Sequence, residues 1–251
     1  MIASAESRTW TAALVVIGDE ILSGRTQDKN VAQLASWLNV QGIRLAEVRV
    51  VADRENAIVE AVDVLRARND YCFTTGGIGP THDDMTADAV ASAFSLPIIQ
   101  HPQAMERLAR HYASRDLEFT PARMRMARTP EGASLIDNPI SVAPGFRIEN
   151  VYVMAGVPQI FQAMVENVMA TLPKGQAIQS ASVHCEFGEG VIGGPLGEIQ
   201  KRHPATMIGS YPKSDNGRYY AELVVRSRDP EALEAARRDV EAMLEDLRSS
   251  A

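Results

Sequence analysis

Short apolar runs rich in β-branched residues alternate with segments of helical period through the first half of the chain, and few architectures accept that alternation. Ala12–Ile17 reads as a first strand, and Val31, Leu34, Ala35 and Leu38 then recur at i, i+3, i+4 and i+7 in a helix expected from about Asp28 to Gln41, with Gly42 as its stop. Leu45–Val51 is a second strand. Ile58, Ala61, Val62 and Leu65 line a helix opened at Asp53, and Tyr71-Cys72-Phe73 is a third strand. Strands separated by helices make βαβ units, so the expected fold is α/β, a doubly wound, mostly parallel sheet covered on both faces. A further helix starts near Thr86. Pro97, Pro102, Pro121 and Pro130 punctuate a less regular stretch expected to hold short helices. Gly145–Ile148 and Val151–Met154 read as a hairpin, followed by a helix from Pro158 to about Leu172.

Pro173-Lys174-Gly175-Gln176 marks the expected boundary between domains at 1–173 and 174–251. The second domain reads as a small α+β module: a strand over 178–187, a helix over 195–202, strands over 206–211 and 219–226, and a helix over 230–247 with Asp229 as N-cap.

Against 25 Lys and Arg stand 32 Asp and Glu, a formal charge of −7, so a broad footprint for nucleic-acid backbone is not expected. Cys72 and Cys185 lack metal-ligand or redox spacing and read as buried thiols. Met1–Arg8 lacks the layout of a signal peptide, and no apolar run is long enough to span a bilayer, so the expectation is a soluble, cytoplasmic protein without a membrane partner.

In an open parallel sheet ligands bind beyond the carboxyl ends of the strands, where the winding reverses. Strand one ends in Gly18-Asp19-Glu20, strand two in Ala52-Asp53, and strand three in Thr74-Thr75-Gly76-Gly77-Ile78-Gly79-Pro80-Thr81-His82-Asp83-Asp84. Glycines in such a turn let amides approach phosphate oxygens. The loop is neither a P-loop, having no Lys-Ser/Thr after its last glycine, nor a G-x-G-x-x-G dinucleotide loop. Its aspartates would repel a phosphate unless a divalent cation lay between, and Mg²⁺ is held by one or two carboxylates together with substrate phosphates and water. The expected metal set is Asp83, Asp84, Asp19 and Glu20, with amides of Gly76, Gly77 and Gly79 on the diphosphate and Arg25 or Arg123 on its outer phosphate. His82 or a carboxylate would activate water. The competing reading makes Asp28 and Asp53 helix caps and Asp83 and Asp84 complements to a helix dipole. In the second domain Gly190-Val191-Ile192-Gly193 has the G-x-x-G form of a nucleic-acid clamp, but Glu189 and the lack of Lys or Arg there favour a simple turn.

Val16-Ile17-Gly18-Asp19-Glu20-Ile21-Leu22-Ser23-Gly24, then Asp28 and Asn30, then Thr74–Thr86, Asn138-Pro139, Ala143-Pro144-Gly145-Phe146 and Gly156-Val157-Pro158 together resemble the competence/damage-inducible protein A (CinA) family, over about residues 10–172. The module at 176–248, with Ile208-Gly209-Ser210-Tyr211-Pro212, is similar to that family's middle domain. The resemblance implies the molybdopterin-binding fold of the MoaB and Mog type, with functional aspartates at Asp53 and Asp84 and a ligand held by Gly18, Thr75, Gly76, Gly77, Gly79, Thr81, Pro144 and Gly145. It implies a nucleotide or pterin diphosphate as partner, a divalent cation (Mg, Mn or Co) as cofactor, and pyrophosphatase action on ADP-ribose- or FAD-like substrates. The alternatives it leaves are molybdopterin binding or adenylyl transfer in molybdenum-cofactor synthesis, and a non-catalytic binding module. It further implies a homo-oligomer, dimer or trimer, and no C-terminal amidase domain. The chain departs from the pattern at Ser141 and Val142, where glycine and threonine are usual. Further departures are Ala155 for proline, Ile160 for an acid and Met126 for glutamine.

Overall fold

The computed structural model describes residues 9–215 and 217–250; the octapeptide read above for a signal sequence lies outside them. The chain divides into two compact units, Met1–Gly175 and Gln176–Ala251.

In the first unit β1 (Trp10–Ile17), α1 (Asp19–Leu22), α2 (Asn30–Val40), β2 (Ile43–Val51), α3 (Glu55–Arg68), β3 (Tyr71–Thr75) and α4 (Thr86–Ala93) follow the expected alternation. Next come β4 (Ile98–Gln100), α5 (Pro102–Ala113), α6 (Pro121–Met124), β5 (Arg128–Pro130), β6 (Ser134–Ile136), β7 (Gly145–Ile148), β8 (Val151–Met154) and α7 (Pro158–Met169). The less regular stretch expected to hold short helices also holds β4 and β5, an antiparallel pair whose three-residue strands carry too little periodicity to show in sequence.

Six strands form one sheet in the order β2-β1-β3-β8-β7-β6, parallel from β2 to β8 and antiparallel across β7 and β6. Because β1 and β3 are buried on both faces they read as continuous apolar runs. Ala12, Leu14 and Val16 meet Leu34 and Leu38 of α2 and Phe161, Met164 and Val165 of α7 on one face. Ala13, Val15 and Ile17 meet Ile58, Val62 and Leu65 of α3 and Val90 of α4 on the other. Each such side chain contributes about 1.5–3 kcal/mol by leaving water. The chain passes from β1 to β2 on one side and then to β3 on the other, so the winding reverses between the ends of β1 and β3.

The second unit comprises β9 (Gln179–Cys185), α8 (Glu189–Arg202), β10 (Met207–Asp215), β11 (Arg218–Ser227) and α9 (Pro230–Ser250). Its antiparallel sheet has the order β10-β11-β9, and α8 and α9 share one core with it through Ile192, Leu196, Ile199, Val240 and Leu244. Asp229 caps α9 through the Glu231 amide at 2.9 Å. The expected start of α8 at Pro195 is wrong by six residues. Gly190-Val191-Ile192-Gly193 lies inside the helix and is neither turn nor clamp loop. Glycines and Pro195 oppose helix formation, but Ile192, Leu196 and Ile199 at i, i+4 and i+7 bury one stripe, and tertiary packing outweighs the propensity.

No helix among the described residues is long and apolar enough to cross a membrane.

Candidate functional site

The reversal of winding between β1 and β3 opens a cleft of about 530 Å³, within the range typical of small-molecule sites. Its floor is Ile17, Gly76 and Gly77, and the strand ends that meet there leave no room for side chains. Gly76 has φ +105°, and a Cβ on it would lie 2.2 Å from the Ile17 carbonyl oxygen. Gly77 has φ +67°, and its Cβ would lie 2.2 Å from Thr86 Oγ1, which itself donates to the Gly76 carbonyl at 2.9 Å. Glycine is therefore demanded by the chain's own packing, before any ligand arrives.

The amides expected to face a diphosphate are mostly spent. Gly76 N–H donates to the Met154 carbonyl at 3.1 Å, stitching β3 to β8, and Gly79 N–H donates to Asp84 Oδ1 at 2.6 Å. Asp84 Oδ2 accepts from the Thr81 amide at 2.8 Å and the Thr81 hydroxyl at 2.5 Å. Asp84 is thus the staple that closes the loop between Gly79 and Thr81, and Arg125 Nη2 holds its carbonyl at 3.1 Å from behind.

Beneath the floor, Asn30 Nδ2 donates to Thr75 Oγ1 and to the Gly156 carbonyl, both at 2.8 Å, while Thr75 Oγ1 donates to the Ala155 carbonyl at 3.0 Å. A buried side chain of α2 thereby ties the end of β3 to the turn after β8. Thr75 works there as a structural bridge and does not line the cleft.

Asp53 does not cap α3, whose N-cap is Arg54 without a side-chain bond. Its Oδ2 accepts instead from the Asp19 amide at 2.8 Å, joining the end of β2 to the start of α1. Asp28 stands one residue before Lys29, the N-cap of α2, and its Oδ1 accepts from the Val31 amide in the first turn at 2.8 Å. Burial, with the neighbouring Glu20, Asp19 and Asp83 carboxylates, pushes the Asp53 carboxyl above its ordinary pKa against the opposing pull of the Asp19 amide.

Of the residues expected at the site, Gly76, Gly77, Gly79, Glu20, Asp53, Asp83 and Asp84 line the cleft. His82 and Asp19 are exposed outside it, and Thr81 is turned into the Asp84 staple. Gly18 is buried at the start of α1, its amide on the Val51 carbonyl at 3.1 Å. Pro144 lies behind the loop, and Gly145 is a packing glycine whose Cβ would meet the Val153 carbonyl oxygen at 2.2 Å. Arg123 stacks over Tyr112 at 4.3 Å and donates to the Glu118 carbonyl, and Arg25 does not line the cleft. Among the described residues, none lining the cleft is Lys, Arg or His.

The far wall was not assigned to the site from sequence: Met126, Asn138, Ser141, Ala143, Gly156, Val157, Pro158 and Ile160. Its available signal was the pair of short signatures at Asn138-Pro139 and Gly156-Val157-Pro158. Asn138 uses its whole side chain on the turn it opens. Oδ1 accepts from the amides of Ile140 (3.0 Å) and Ser141 (3.1 Å), and Nδ2 donates to Ser141 Oγ (2.6 Å) and the Ala143 carbonyl (2.8 Å). That turn forces Val142 to φ +66°, a conformation a β-branched residue rarely adopts.

The carboxylates do not make a metal cage. Among the described residues no group of three or more His, Cys, Asp or Glu side chains is placed to hold an ion. What remains fits a cation that arrives with its phosphates, held by one or two carboxylates. Glu20 and Asp83 line the cleft, whereas Asp84 is committed to its loop and Asp19 does not line the cleft.

Residues 13–174 match the family model described as probable molybdopterin binding domain, and residues 177–249 match FAD synthase, middle domain. A protein of Aeropyrum pernix is 34% identical over 253 residues, covering 96% of this chain and 92% of its own length. A CinA-like protein of Desulfosudis oleivorans is 35% identical over 172 residues, 67% of this chain but 41% of that protein. The crystal structure of CinA from Thermoplasma acidophilum, a protein described there as of unknown function, superimposes with a TM-score of 0.60 at 30% identity, covering 65% of this chain and 98% of that one.

Proposed function

The chain belongs to the molybdopterin-binding-domain family, in the CinA-like arrangement with a FAD synthase middle domain behind it, and on that premise we propose that its cleft binds a nucleotide or pterin diphosphate and hydrolyses it with a divalent cation. The observation that carries the reading is the polarity of the cleft. Glu20, Asp53, Asp83 and Asp84 line it together with Met126, Ala143, Val157, Pro158 and Ile160, and no basic side chain is among them. A free anion is repelled from such a site, and a simple apolar ligand leaves the carboxylates unused. A ring carrying a metal-bound diphosphate uses both kinds of group.

Glu20 and Asp83 hold the cation, which when bound neutralises the diphosphate and polarises its phosphorus. The apolar wall takes the ring. The Asp84 staple fixes the path of Gly79–Thr81 beside the phosphates. Asp53 is the base: it lines the cleft beside Glu20 and Asp83, and the Asp19 amide fixes one of its oxygens and leaves the other for water.

Hydrolysis of ADP-ribose, FAD and NAD with Mg²⁺, Mn²⁺ or Co²⁺, followed by phosphate-product analysis, tests the proposal. Asp53→Asn is expected to keep cation-dependent binding and lose turnover by about 10²–10⁴-fold, the usual contribution of a general base. Binding that persists undiminished in excess chelator overturns the metal-diphosphate reading. Turnover that requires molybdopterin and ATP together replaces hydrolysis by adenylyl transfer.

A further inference from the structure

Away from the cleft, at the β6 side of the main sheet, we propose a second site that binds a small organic monocarboxylate between Arg147 and the Tyr152 hydroxyl. Ser134, Arg147 and Tyr152 stand in one row across β6, β7 and β8, and together with Asn167 and Val168 of α7 they wall a pocket of about 370 Å³. That volume suits a small molecule. The pocket shares no lining residue with the cleft and, unlike the cleft, contains a basic side chain.

Tyr152 is buried in an aromatic row and yet keeps an unpaired hydroxyl. Only 2% of the residue is exposed, its ring stacks on Phe73 at 5.2 Å and meets Tyr71 edge-on at 6.3 Å, and no group among the described residues hydrogen-bonds its oxygen. A buried hydroxyl without a partner costs free energy that phenylalanine in the same place would avoid, so the polar atom calls for a partner from the pocket it lines. Burial pushes the phenol above its ordinary pKa against the pull of Arg147, and it therefore stays a proton donor at neutrality.

Arg147 supplies the charge. Its Nε donates to the Glu149 carbonyl at 2.7 Å and its guanidinium carbon lies 5.1 Å from the Tyr152 ring centroid, so the group is held in place while both Nη atoms keep their donors among the described residues. The acids nearby are engaged elsewhere, the Asp137 carboxylate with Arg107 Nη1 at 2.5 Å and the Glu149 carboxylate with Arg66 Nη1 at 4.0 Å. A guanidinium fork and a phenol O–H, donors throughout, match an anion that only accepts, and one guanidinium offsets one charge. Asp137 lines the same pocket and opposes a second charge on the ligand, which favours a carboxylate over a phosphate. Leu135, Ile136 and Val168 offer apolar walls to the body of the acid.

Titration calorimetry of the full chain with acetate, benzoate and inorganic phosphate, at constant ionic strength and without divalent cation, tests the site. Benzoate should bind more tightly than acetate, and phosphate least tightly. Arg147 is exposed, so its substitution leaves the fold intact. Arg147→Ala should weaken benzoate binding by about tenfold or more, and Arg147→Lys should not restore it in full, since an ammonium lacks the fork. Tyr152→Phe keeps the ring packing and removes only the donor, and it should weaken binding by about tenfold without lowering the melting temperature. Benzoate that fails to bind, or that binds wild type, Arg147→Ala and Tyr152→Phe equally, overturns the proposal, as does phosphate bound more tightly than either carboxylate.

Discussion

Asp84→Asn separates two roles that a single carboxylate could play at this cleft. The side chain accepts three hydrogen bonds, from Gly79 N–H, Thr81 N–H and Thr81 Oγ1. Asparagine keeps one acceptor oxygen and presents an –NH₂ to whichever backbone amide remains, setting donor against donor. A hydrogen bond to a charged group contributes about 1.5–3 kcal/mol where it is shielded, and the Thr81 side of the staple is exposed, so the net loss is about 1–2 kcal/mol rather than the sum. At about 2–4 °C per kcal/mol for a unit of this size, the melting temperature should fall by about 2–8 °C. Hydrogen exchange at the Gly79 and Thr81 amides should quicken by about tenfold or more, because the opening free energy of the loop drops by that amount. Glu20→Gln is the control, since Glu20 lines the cleft and its side chain takes no part in the staple. It should leave melting and exchange unchanged while weakening cation-dependent binding. If Asp84→Asn leaves melting and exchange as in the wild type yet removes cation dependence, the staple argument is refuted and Asp84 is a ligand.

Three further substitutions follow from the backbone and from charge. Val142→Asn should stabilise the first unit by about 1 kcal/mol in urea titration, because Val142 sits at φ +66° where asparagine is tolerated and a β-branched residue is strained by about 1–2 kcal/mol; destabilisation would show that the strain is compensated by packing. Gly76→Ala should cost about 3–5 kcal/mol or prevent folding, since its Cβ would sit 2.2 Å from the Ile17 carbonyl oxygen at φ +105°, and near-native melting would disprove the close approach. Asp53 titrates higher in the folded chain than unfolded, so its stabilising contribution is present below the unfolded pKa and lost as pH rises through the folded one. Asp53→Asn should therefore raise the melting temperature at about pH 7.5 and give no gain near about pH 3.5; a gain independent of pH would assign the effect to something other than charge.

The parallel part of the sheet could be read from sequence because β1 and β3, buried on both faces, announce themselves as unbroken apolar runs between helical periods. The hairpin of β7 and β8 was equally plain, its strands falling at Gly145–Ile148 and Val151–Met154 as expected. β4 and β5 were not, since three residues cannot display a period, and α8 was misread because four glycines and Pro195 masked the Ile192, Leu196, Ile199 stripe that decides its fate. At the site, sequence identified which strand ends converge but not what each group does there. The partners of Asp53 and Asp84 depend on which atoms point where. Asp53 turns toward Asp19, 34 residues earlier, and no local capping rule anticipates a bond across two strands. The far wall comes from residues 126–160, distant in sequence from the glycine loop and without charged side chains to draw attention.

The glycine loop shows why a strong signature can still be weak evidence about a ligand. Gly76 and Gly77 are required because β1, β3 and the turn after β8 meet at van der Waals contact: Gly156 would place a Cβ only 3.2 Å from the Gly76 Cα, so the two glycines allow each other's position. Two of the three glycine amides end on protein acceptors. Such a loop would keep its glycines whatever the cleft bound, or if it bound nothing. Information about the ligand must therefore come from groups whose cleft-facing atoms the loop does not use, and those are the carboxylate of Glu20, the free oxygen of Asp53, and the apolar surface of Met126 and Ile160. Exchanging the wall residues at Met126 and Ile160, far from the glycine loop in sequence, should alter which ring is accepted and lower the melting temperature at both, since Ile160 packs against the core that holds Leu34 and Phe161 and Met126 against the core around Leu108 and Ala127. Specificity that followed the glycine loop instead, unchanged by both wall substitutions, would reverse that division of labour.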